Sequence, residues 1–555
     1  DVVLLLLLRE LPYSCCVCES REWREAKRDG HRMRGLSLVA LTTSFLRSAP
    51  RASLSWVLLG VTRATYSSAF SSATPVLWGG TSLNTPYFSG KTSTTSPLLF
   101  KHLAVRTMAT ARNAEADADV THHVAEDVCP SWLNPERTRV LTKHTTNLAQ
   151  NDKKHEKACI IYWMQRDVRT VDNWALLFAQ HLAQTCEVPL KVVYCLPPPP
   201  PAQTVDNDSH GNTLPPKVWD MPMTERHGSF LLGGLEIVER ELFEKGVPLE
   251  VSMPPDRNTV GSTLKAFAID QKALAVVCDM NPIRHFRSFV EDQAAPLLDA
   301  SNIPLYQVDA HNVVPVWHAS PKKEVGARTL RPKINKLLPQ FMNHFASFEG
   351  NAHMDNEIKL PPSSKKSWKT FRDYLNLDSS VPPIDWAQPG HEAAMKQFES
   401  FCSVGLKNFD TLRNDPNHAT ICSNLSPWIN HGHVSFQRLA LNVRALKKHA
   451  NGTAAYIEEG VVRRELSDNY VYYMGEDYDE LSGAAQWAQD SLELHTSDER
   501  EWLYTLDEFE RALTHDDLWN AAQLQLVQEG KMHGFLRMYW CKKILEWSES
   551  PEVAL

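Results

Sequence analysis

Short apolar runs alternate with helical patterns in the first half of the chain. The runs contain many β-branched residues and occupy residues 157–164, 189–196, 249–253, 273–280 and 303–310. Between them, apolar residues recur at the spacing of an amphipathic helix. Strands that alternate with helices predict a doubly wound parallel sheet, and nearly continuous apolar strands predict that both of its faces are buried.

The strand signal fades after residue 320, and apolar positions then follow helical spacing. Residues 329–345, 391–406 and 435–450 are clear examples. We therefore predict an α/β domain at residues 126–320, followed by an all-helical domain at residues 321–555. This domain order alone does not identify a function.

Residues 1–125 differ from the rest of the chain. Residues 34–110 are rich in Ser, Thr, Ala and Arg and contain almost no acidic residues, which is typical of an organellar transit peptide. Translated upstream sequence, with Met108 as the working start, is an equally good explanation. In either case these residues are predicted to be disordered and to carry little of the fold. The opening apolar run, residues 2–13, is too short to span a bilayer, so no membrane partner is predicted.

Composition and charge exclude some classes of protein. With 43% hydrophobic residues, the 555-residue chain can form large globular cores. Its net charge of −8 gives no overall basic signal, so contact with nucleic acid requires a local patch. The loop at residues 164–173 after the first strand contains no glycine, which argues against a GxGxxG dinucleotide site. The scattered cysteines form no paired CxxC framework, although Cys15, Cys16 and Cys18 cluster, and they favour a reducing compartment.

Two segments of the helical half contain candidate chemistry. RNDPN at residues 413–417 precedes CSNLSPW at residues 422–428. Ser426 before Pro427 predicts a helix start, where a capping hydroxyl and free amides suit a diphosphate or another anion. For an isolated SNLSP motif, an ordinary capped helix is the favoured explanation. The segment at residues 456–473 mixes Glu and Arg and is, by itself, a solvated or salt-bridged helix face.

The third segment, residues 531–547, contains two tryptophans. Trp540 and Trp547 lie two turns apart on one face of a predicted helix, and Trp519 lies in the neighbouring segment at residues 515–530. A tryptophan-rich core explains this arrangement, because aromatic side chains dominate core burial. The alternative is a relay of oxidisable indoles beside a redox cofactor.

Together and in this order, the segments resemble the photolyase and cryptochrome family, and most closely the class II cyclobutane pyrimidine dimer photolyases. The words that carry the resemblance are RNDPN, SNLSPW, VVRRELSDNY, LWNAAQLQLV and KMHGFLRMYWCKKILEW. MNPIRHFRSFVEDQ and YQVDAHNVVPVW extend it into the first half, so that it covers residues 130–555. It implies that residues 126–320 are an antenna domain and residues 321–555 an FAD-binding domain.

The resemblance implies a deoxyribodipyrimidine photolyase. Light, absorbed by reduced FAD directly or through a deazaflavin or folate antenna pigment, drives transfer of one electron to a pyrimidine dimer flipped out of damaged DNA. We expect a monomer in the nucleus, with the mitochondrion or a plastid as alternatives because of the N-terminal composition.

Site residues follow from the resemblance position by position. It assigns binding of the flavin phosphates to Ser423, Asn424, Leu425 and Ser426. Arg413 and Asn414 match residues near the flavin and the lesion, and Arg464 matches an arginine near the phosphates.

The predicted lesion pocket and electron relay come from later segments. Glu459 matches the acid that hydrogen-bonds the dimer's carbonyl, with Glu458 as the alternative because the alignment can slip by one position. Met538 matches a methionine of the lesion pocket. The resemblance assigns the relay that reduces the flavin to Trp519, Trp540 and Trp547.

Two departures from the family pattern affect cofactor binding. Phe409 stands where the family usually has a tyrosine whose hydroxyl bonds the cofactor's phosphate, a bond worth about 1 kcal/mol. Family members also continue beyond residue 555 with flavin-contacting aspartates, so the sequence resembles a C-terminally truncated chain that is expected to bind FAD poorly or not at all.

The same sequence pattern leaves two other functions open. A cryptochrome-like light sensor would use the same flavin and relay but signal through a protein partner. A nucleotide-binding module without light chemistry is the third possibility, and the lack of a P-loop or GxGxxG motif argues against it.

Overall fold

The computed structural model describes residues 122–123, 128–143, 158–200, 220–351 and 365–555. The predictions for residues 1–125 therefore lie outside the described residues, apart from His122–His123, which form a short strand. The described residues from position 128 onward belong to one compact unit.

One mixed sheet forms the centre of the α/β half. Its strands are β1 (His122–His123), β2 (Thr138–Val140), β3 (Cys159–Met164), β4 (Leu190–Cys195), β5 (Leu249–Ser252), β6 (Ala273–Asp279) and β7 (Leu305–Val308). The strand order is β1-β2-β7-β6-β3-β4-β5.

The parallel part of the sheet confirms the prediction from the apolar runs. Strands β3 to β7 pair in parallel, and each lies within its predicted run. The prediction of a wholly parallel sheet was wrong at one edge, where β1 and β2 pair antiparallel and β2 pairs antiparallel with β7. These two strands are too short to give a periodic apolar pattern.

Strand β3 shows why the sheet is covered on both faces. Its residues Tyr162 and Met164 belong to one buried core, whereas Ile161 and Trp163 belong to another. Because successive side chains of a strand point to opposite faces, the two cores lie on opposite sides of the sheet. The helices of this half are α1 (Trp174–Thr185), α2 (Glu225–Glu244), α3 (Val260–Asp270), α4 (Arg284–Ser288) and α5 (Ala295–Asp299).

After β7, the described residues form helices and loops. The helices are α6 (Val316–Ala319), α7 (Ala327–Phe341), α8 (Lys365–Leu375), α9 (His391–Val404), α10 (Phe409–Leu412), α11 (Ser426–Asn430), α12 (Phe436–Ala445), α13 (Ala450–Ile457), α14 (Arg464–Met474), α15 (Gln486–Leu494), α16 (Leu506–Glu510), α17 (Asp517–Glu529), α18 (Gly534–Trp547) and α19 (Pro551–Ala554). A π-helical segment, Glu458–Arg463, joins α13 to α14. Within the described ranges, no helix is both long and apolar enough to cross a membrane.

Charged side chains join the sheet to the helical half. Arg166, in the loop after β3, donates two hydrogen bonds to Asp468 of α14, at 2.7 and 3.0 Å. Asn312, in the loop after β7, donates to the same carboxylate at 2.9 Å. Both loops leave the carboxyl ends of parallel strands, and these contacts fix α14 against that edge of the sheet.

Candidate functional site

An ion pair between Arg413 and Glu459 lies at the surface of the helical half. Oε1 of Glu459 is 3.2 Å from Nη2 and 3.3 Å from Nε of Arg413. The guanidinium also lies 5.9 Å from the centre of the Phe409 ring. The structure thus brings together three of the predicted site residues. Because the side chain of Glu459 is 41% exposed, its carboxylate has room to meet a ligand.

The neighbouring Glu458 has different partners. Arg331 donates to both oxygens of this carboxylate, at distances between 2.7 and 3.1 Å, and Arg463 lies 3.6 Å away. These partners occupy its hydrogen-bonding capacity, so Glu459 is the more available of the two carboxylates.

The π-helical segment that carries Glu459 packs closely on α12. A side chain in place of Gly460 would overlap the ring of Phe436, so glycine permits this close approach. Single π-helical turns are uncommon and occur frequently at functional sites. The sequence showed the charged residues of this segment but not its π-helical geometry.

The segment Ser423–Ser426 enters the short helix α11 through a tight turn. Asn424 has a φ of 58°, a left-handed conformation that asparagine tolerates better than most residues. Leu425 is buried, whereas Ser426 is exposed.

The prediction that Ser426 caps helix α11 was wrong. Leu425 occupies the cap position, without a side-chain capping bond, and Ser426 is the first helical residue. The turn at Asn424 sets where the helix begins, which the Ser-Pro pair alone could not indicate. Since α11 has only five residues, its dipole offers little attraction for an anion.

A lysine that sequence reasoning did not single out contacts this turn. Lys531 lies just before α18, and its ammonium donates a hydrogen bond to the side-chain oxygen of Asn424. Burial lowers the pKa of Lys531 to about 8, with the nearby Cys422 opposing and Arg537 adding to the shift. Lys531 is the first residue of the motif KMHGFLRMYWCKKILEW, but its position beside Asn424 depends on tertiary packing.

A buried phenol, also missed in the sequence, contacts the ring of Phe409. Tyr456 is 4% exposed, and its hydroxyl has no hydrogen-bond partner among the described residues. Burial raises the pKa of Tyr456 well above its usual range, and a hydrogen-bonding influence from Ser423 opposes the rise. An unpartnered buried hydroxyl on the side of Ser423 fits a segment that accommodates a polar cofactor.

No described contact brings the other predicted residues to the Ser423–Ser426 segment. Arg464 donates to the Gly460 carbonyl at 2.8 Å, to Asn312 at 3.3 Å and to the His311 carbonyl at 3.3 Å, so its bonds lie toward the junction with the sheet. Asn414 is exposed and Met538 is half-buried on α18. Their assignments to the flavin and the lesion remain predictions.

The three predicted relay tryptophans do contact one another. The rings of Trp519 and Trp540 are stacked, with centroids 6.1 Å apart and planes 6° from parallel. Trp519 also meets Trp547 edge-on at 6.3 Å. Trp519 therefore lies between the other two, and the stacked pair joins α17 to α18 rather than two turns of one helix.

The interpretations of these indoles as core and as relay are compatible. Trp519 and Trp547 are buried, and both belong to one small hydrophobic cluster. Polar contacts fix the rings, because Trp519 Nε1 donates to the Trp540 carbonyl at 3.2 Å and Trp540 Nε1 donates to Gln523 at 3.0 Å.

In the described part of the chain, no cluster of three or more His, Cys, Asp or Glu could hold a metal ion.

Most of the chain is similar in sequence to known proteins. The DNA photolyase family model matches residues 160–351. The deoxyribodipyrimidine photo-lyase of Potorous tridactylus is 39% identical over 453 residues, which cover 80% of this chain and 77% of that protein. The protein of the same name from Oryza sativa is 37% identical and covers 71% of this chain and 74% of its own.

Solved structures support the fold. A class III photolyase from Agrobacterium tumefaciens aligns with a TM-score of 0.50 at 19% identity, covering 71% of this chain and 74% of its own. A Synechocystis cryptochrome aligns with a TM-score of 0.50 at 16% identity, covering 72% of this chain and 80% of its own. At these identities the likeness concerns the fold alone. The extent of identity with the two photo-lyases is decisive, and the chain therefore belongs to the DNA photolyase family.

Proposed function

We propose that this protein is a deoxyribodipyrimidine photolyase, a lyase that uses light to split cyclobutane pyrimidine dimers in damaged DNA. The observation that carries the proposal is the 39% identity, over 80% of the chain, with a protein of that name. The cryptochrome alternative has support at the level of the fold only, because the Synechocystis cryptochrome is 16% identical.

The cofactor we propose is reduced FAD, which when bound supplies a light-excited electron donor. Ser423, Asn424 and Lys531 are the residues that would hold its phosphates. The ammonium of Lys531 provides a positive charge, and the unpartnered hydroxyl of Tyr456 supports the fit of a polar group at this turn.

A local concentration of positive charge supports binding of phosphates in spite of the overall charge of −8. Burial raises the pKa of the Cys422 thiol, and the charges of Lys531, Arg537 and Arg413 oppose that rise. Three cations are thus near enough to act on this thiol, and one of them, Lys531, contacts the Asn424 turn. Such a patch suits the phosphates of a cofactor or of a DNA strand.

The carboxyl group of Glu459, in its protonated form, would donate a hydrogen bond to the carbonyl of the dimer. Its partial exposure supports this role, because a ligand that displaces Arg413 can reach it. A hydrogen-bonding group placed where charge develops stabilises the transition state without reorganising at the moment of reaction. Met538 is proposed as an apolar contact of the same pocket.

The three tryptophans would conduct electrons between the protein surface and the cofactor site. Ring contacts that join Trp540 to Trp519 and Trp519 to Trp547 support a continuous path. We further propose a deazaflavin or folate antenna, a monomeric state and a nuclear location. Pigment absorption, size-exclusion chromatography and imaging of a tagged chain test these three points.

Repair of a defined lesion tests the proposed function. The full chain, loaded with reduced FAD, is mixed with an oligonucleotide that contains one cyclobutane thymine dimer, under blue light and in the dark. We expect the dimer to disappear in the light only. Flavin photochemistry without loss of the dimer would favour the cryptochrome alternative, and a chain that cannot be loaded with FAD would contradict both.

A further inference from the structure

The hydroxyl of Tyr456 is a buried polar group for which the fold supplies no described partner. Tyr456 belongs to α13, is 4% exposed, and its hydroxyl oxygen makes no hydrogen bond within the described residues. Buried side-chain polar atoms in native proteins have partners in the large majority of cases. Such an exception calls for a ligand or another specific explanation.

The walls around this phenol are aromatic. The ring of Tyr456 lies 4.8 Å from Phe401, 5.3 Å from Phe436 and 5.7 Å from Phe409, measured between centroids. Phenylalanine rings hold the phenol in place but offer no conventional acceptor for its proton.

The hydroxyl lies on the side of the Ser423–Ser426 segment. Ser423 is the residue whose hydrogen-bonding influence opposes the rise that burial causes in the pKa of Tyr456. The Ser423 carbonyl, for its part, accepts a hydrogen bond from Gln397 at 3.0 Å. The phenol is therefore close to Ser423, at the start of the turn that precedes α11.

The neighbouring Phe409 lacks the corresponding group. In the class II photolyases that the sequence resembles, this position usually carries a tyrosine whose hydroxyl bonds the cofactor's phosphate. Here the Phe409 and Tyr456 rings meet edge to face, with planes 77° apart. The hydroxyl that Phe409 lacks is thus present on the ring of Tyr456, which contacts it.

We propose that the hydroxyl of Tyr456 donates a hydrogen bond to the diphosphate of the bound dinucleotide and replaces the hydroxyl that Phe409 lacks. Tyr456 is then a cofactor-binding residue of this chain. The inference rests on the proposed function, because it takes FAD as the ligand. It adds a specific donor to the phosphate contacts of Ser423, Asn424 and Lys531.

Substitutions at the two rings test this exchange of hydroxyls. The full chain is prepared as wild type, Tyr456→Phe, Phe409→Tyr and the double variant. The dissociation constant of FAD is measured from the flavin fluorescence that appears on dilution of the loaded protein. We expect Tyr456→Phe to weaken FAD binding by about fivefold, the effect of one hydrogen bond, and Phe409→Tyr to restore much of it in the double variant.

The melting temperature of the FAD-free chain separates binding from a structural role. If the hydroxyl has no partner in the protein, Tyr456→Phe leaves this temperature unchanged or raises it. Tyr470→Phe is the matched control, because the Tyr470 hydroxyl donates to the Gly483 carbonyl at 3.1 Å, and its loss is expected to lower the temperature without weakening FAD.

The outcomes distinguish this inference from the proposed function. An unchanged dissociation constant in Tyr456→Phe overturns the inference and leaves the photolyase proposal standing. A lower melting temperature of the FAD-free variant, with FAD binding unchanged, assigns the hydroxyl a structural role and also overturns it. Failure of the wild type to bind FAD overturns both.

Discussion

Two adjacent glutamates of the π-helical segment Glu458–Arg463 differ in what their carboxylates contact. Glu458 is bound by Arg331 through both oxygens, whereas Glu459 pairs with Arg413 and is 41% exposed. Neighbouring residues of a helix point in different directions, so one of the two can support the fold while the other meets a ligand.

Replacement of each glutamate by alanine separates these roles. We expect Glu459→Ala to lower the yield of light-driven repair by roughly 100- to 1,000-fold, the usual cost of removing one stabilising hydrogen-bond donor from an active site. Because the pair with Arg413 is partly exposed, the free energy of unfolding changes by less than about 1 kcal/mol. Repair is measured as loss of the dimer per absorbed photon.

Glu458→Ala is expected to lower the free energy of unfolding more than it lowers repair, because it removes the carboxylate that the half-buried Arg331 bonds. Denaturant unfolding measures this loss. If repair is lost in Glu458→Ala and retained in Glu459→Ala, the assignment must move by one residue.

Lys531 gives cofactor binding a dependence on pH. Partial burial lowers the pKa of Lys531 to about 8, so the ammonium is charged below that pH and neutral above it. We expect the affinity for FAD to fall as the pH rises through this range, by roughly tenfold or more for the loss of one charge-assisted bond. Fluorescence titration at several pH values measures the change.

Lys531→Arg is the matched variant, since arginine stays charged throughout this range. Its affinity for FAD should therefore vary less between pH 7 and pH 9.5 than that of the wild type. Equal pH dependence in the two proteins would show that another group is responsible.

At the scale of elements, α17 and α18 are held together by the contact between Trp519 and Trp540. The same rings form the middle of the proposed electron path, and Trp547 continues it. A substitution at Trp519 therefore tests stability and conduction together.

We expect Trp519→Phe to slow photoreduction of bound FAD by an external reductant, because the path loses its central indole. The smaller ring also leaves a cavity and removes the bond to the Trp540 carbonyl, so the free energy of unfolding should fall by about 1–3 kcal/mol. Absorption spectra during illumination follow the reduction. Trp487→Phe, at a 44% exposed position of α15, is the control and should change neither quantity. Photoreduction at the wild-type rate in folded Trp519→Phe would exclude the relay through this ring.

Elements formed by a local sequence pattern could be predicted, whereas elements formed by contacts between residues far apart in the chain could not. Strand β3 was predictable because it is apolar throughout, whereas the three residues of β2 are ordered by pairing with β7, far along the chain. The residues of the site divide in the same way. Motifs indicated Glu459 and the tryptophans, but the unpartnered Tyr456 hydroxyl depends on rings from several helices, and no local pattern encodes it.

At the scale of the whole molecule, a buried charge pair joins the sheet to the helical half. Burial alone would raise the pKa of Asp468, but the charge and hydrogen bonds of Arg166 outweigh it, with smaller effects of His311 and Arg464, and the pKa is held well below its usual range. This carboxylate also accepts from Asn312 at 2.9 Å. One side chain therefore fixes the orientation of α14 against two loops of the sheet.

Asp468→Asn is expected to destabilise the protein by about 3–5 kcal/mol at neutral pH, because it leaves the charge of Arg166 buried without its partner. A carboxyl whose pKa is depressed by folding stabilises the protein above its unfolded pKa of about 3.8, and that contribution is lost as the pH falls below this value. The difference in unfolding free energy between wild type and variant should therefore be full at pH 7 and shrink below about pH 4. Denaturant titrations at pH 7 and below about pH 4 measure this difference. Asp507→Asn is the control, since the pair between Arg511 and Asp507 is largely exposed and contributes less than about 1 kcal/mol. A difference that is equal at the two pH values would mean that the carboxylate charge of Asp468 does not hold the two halves together.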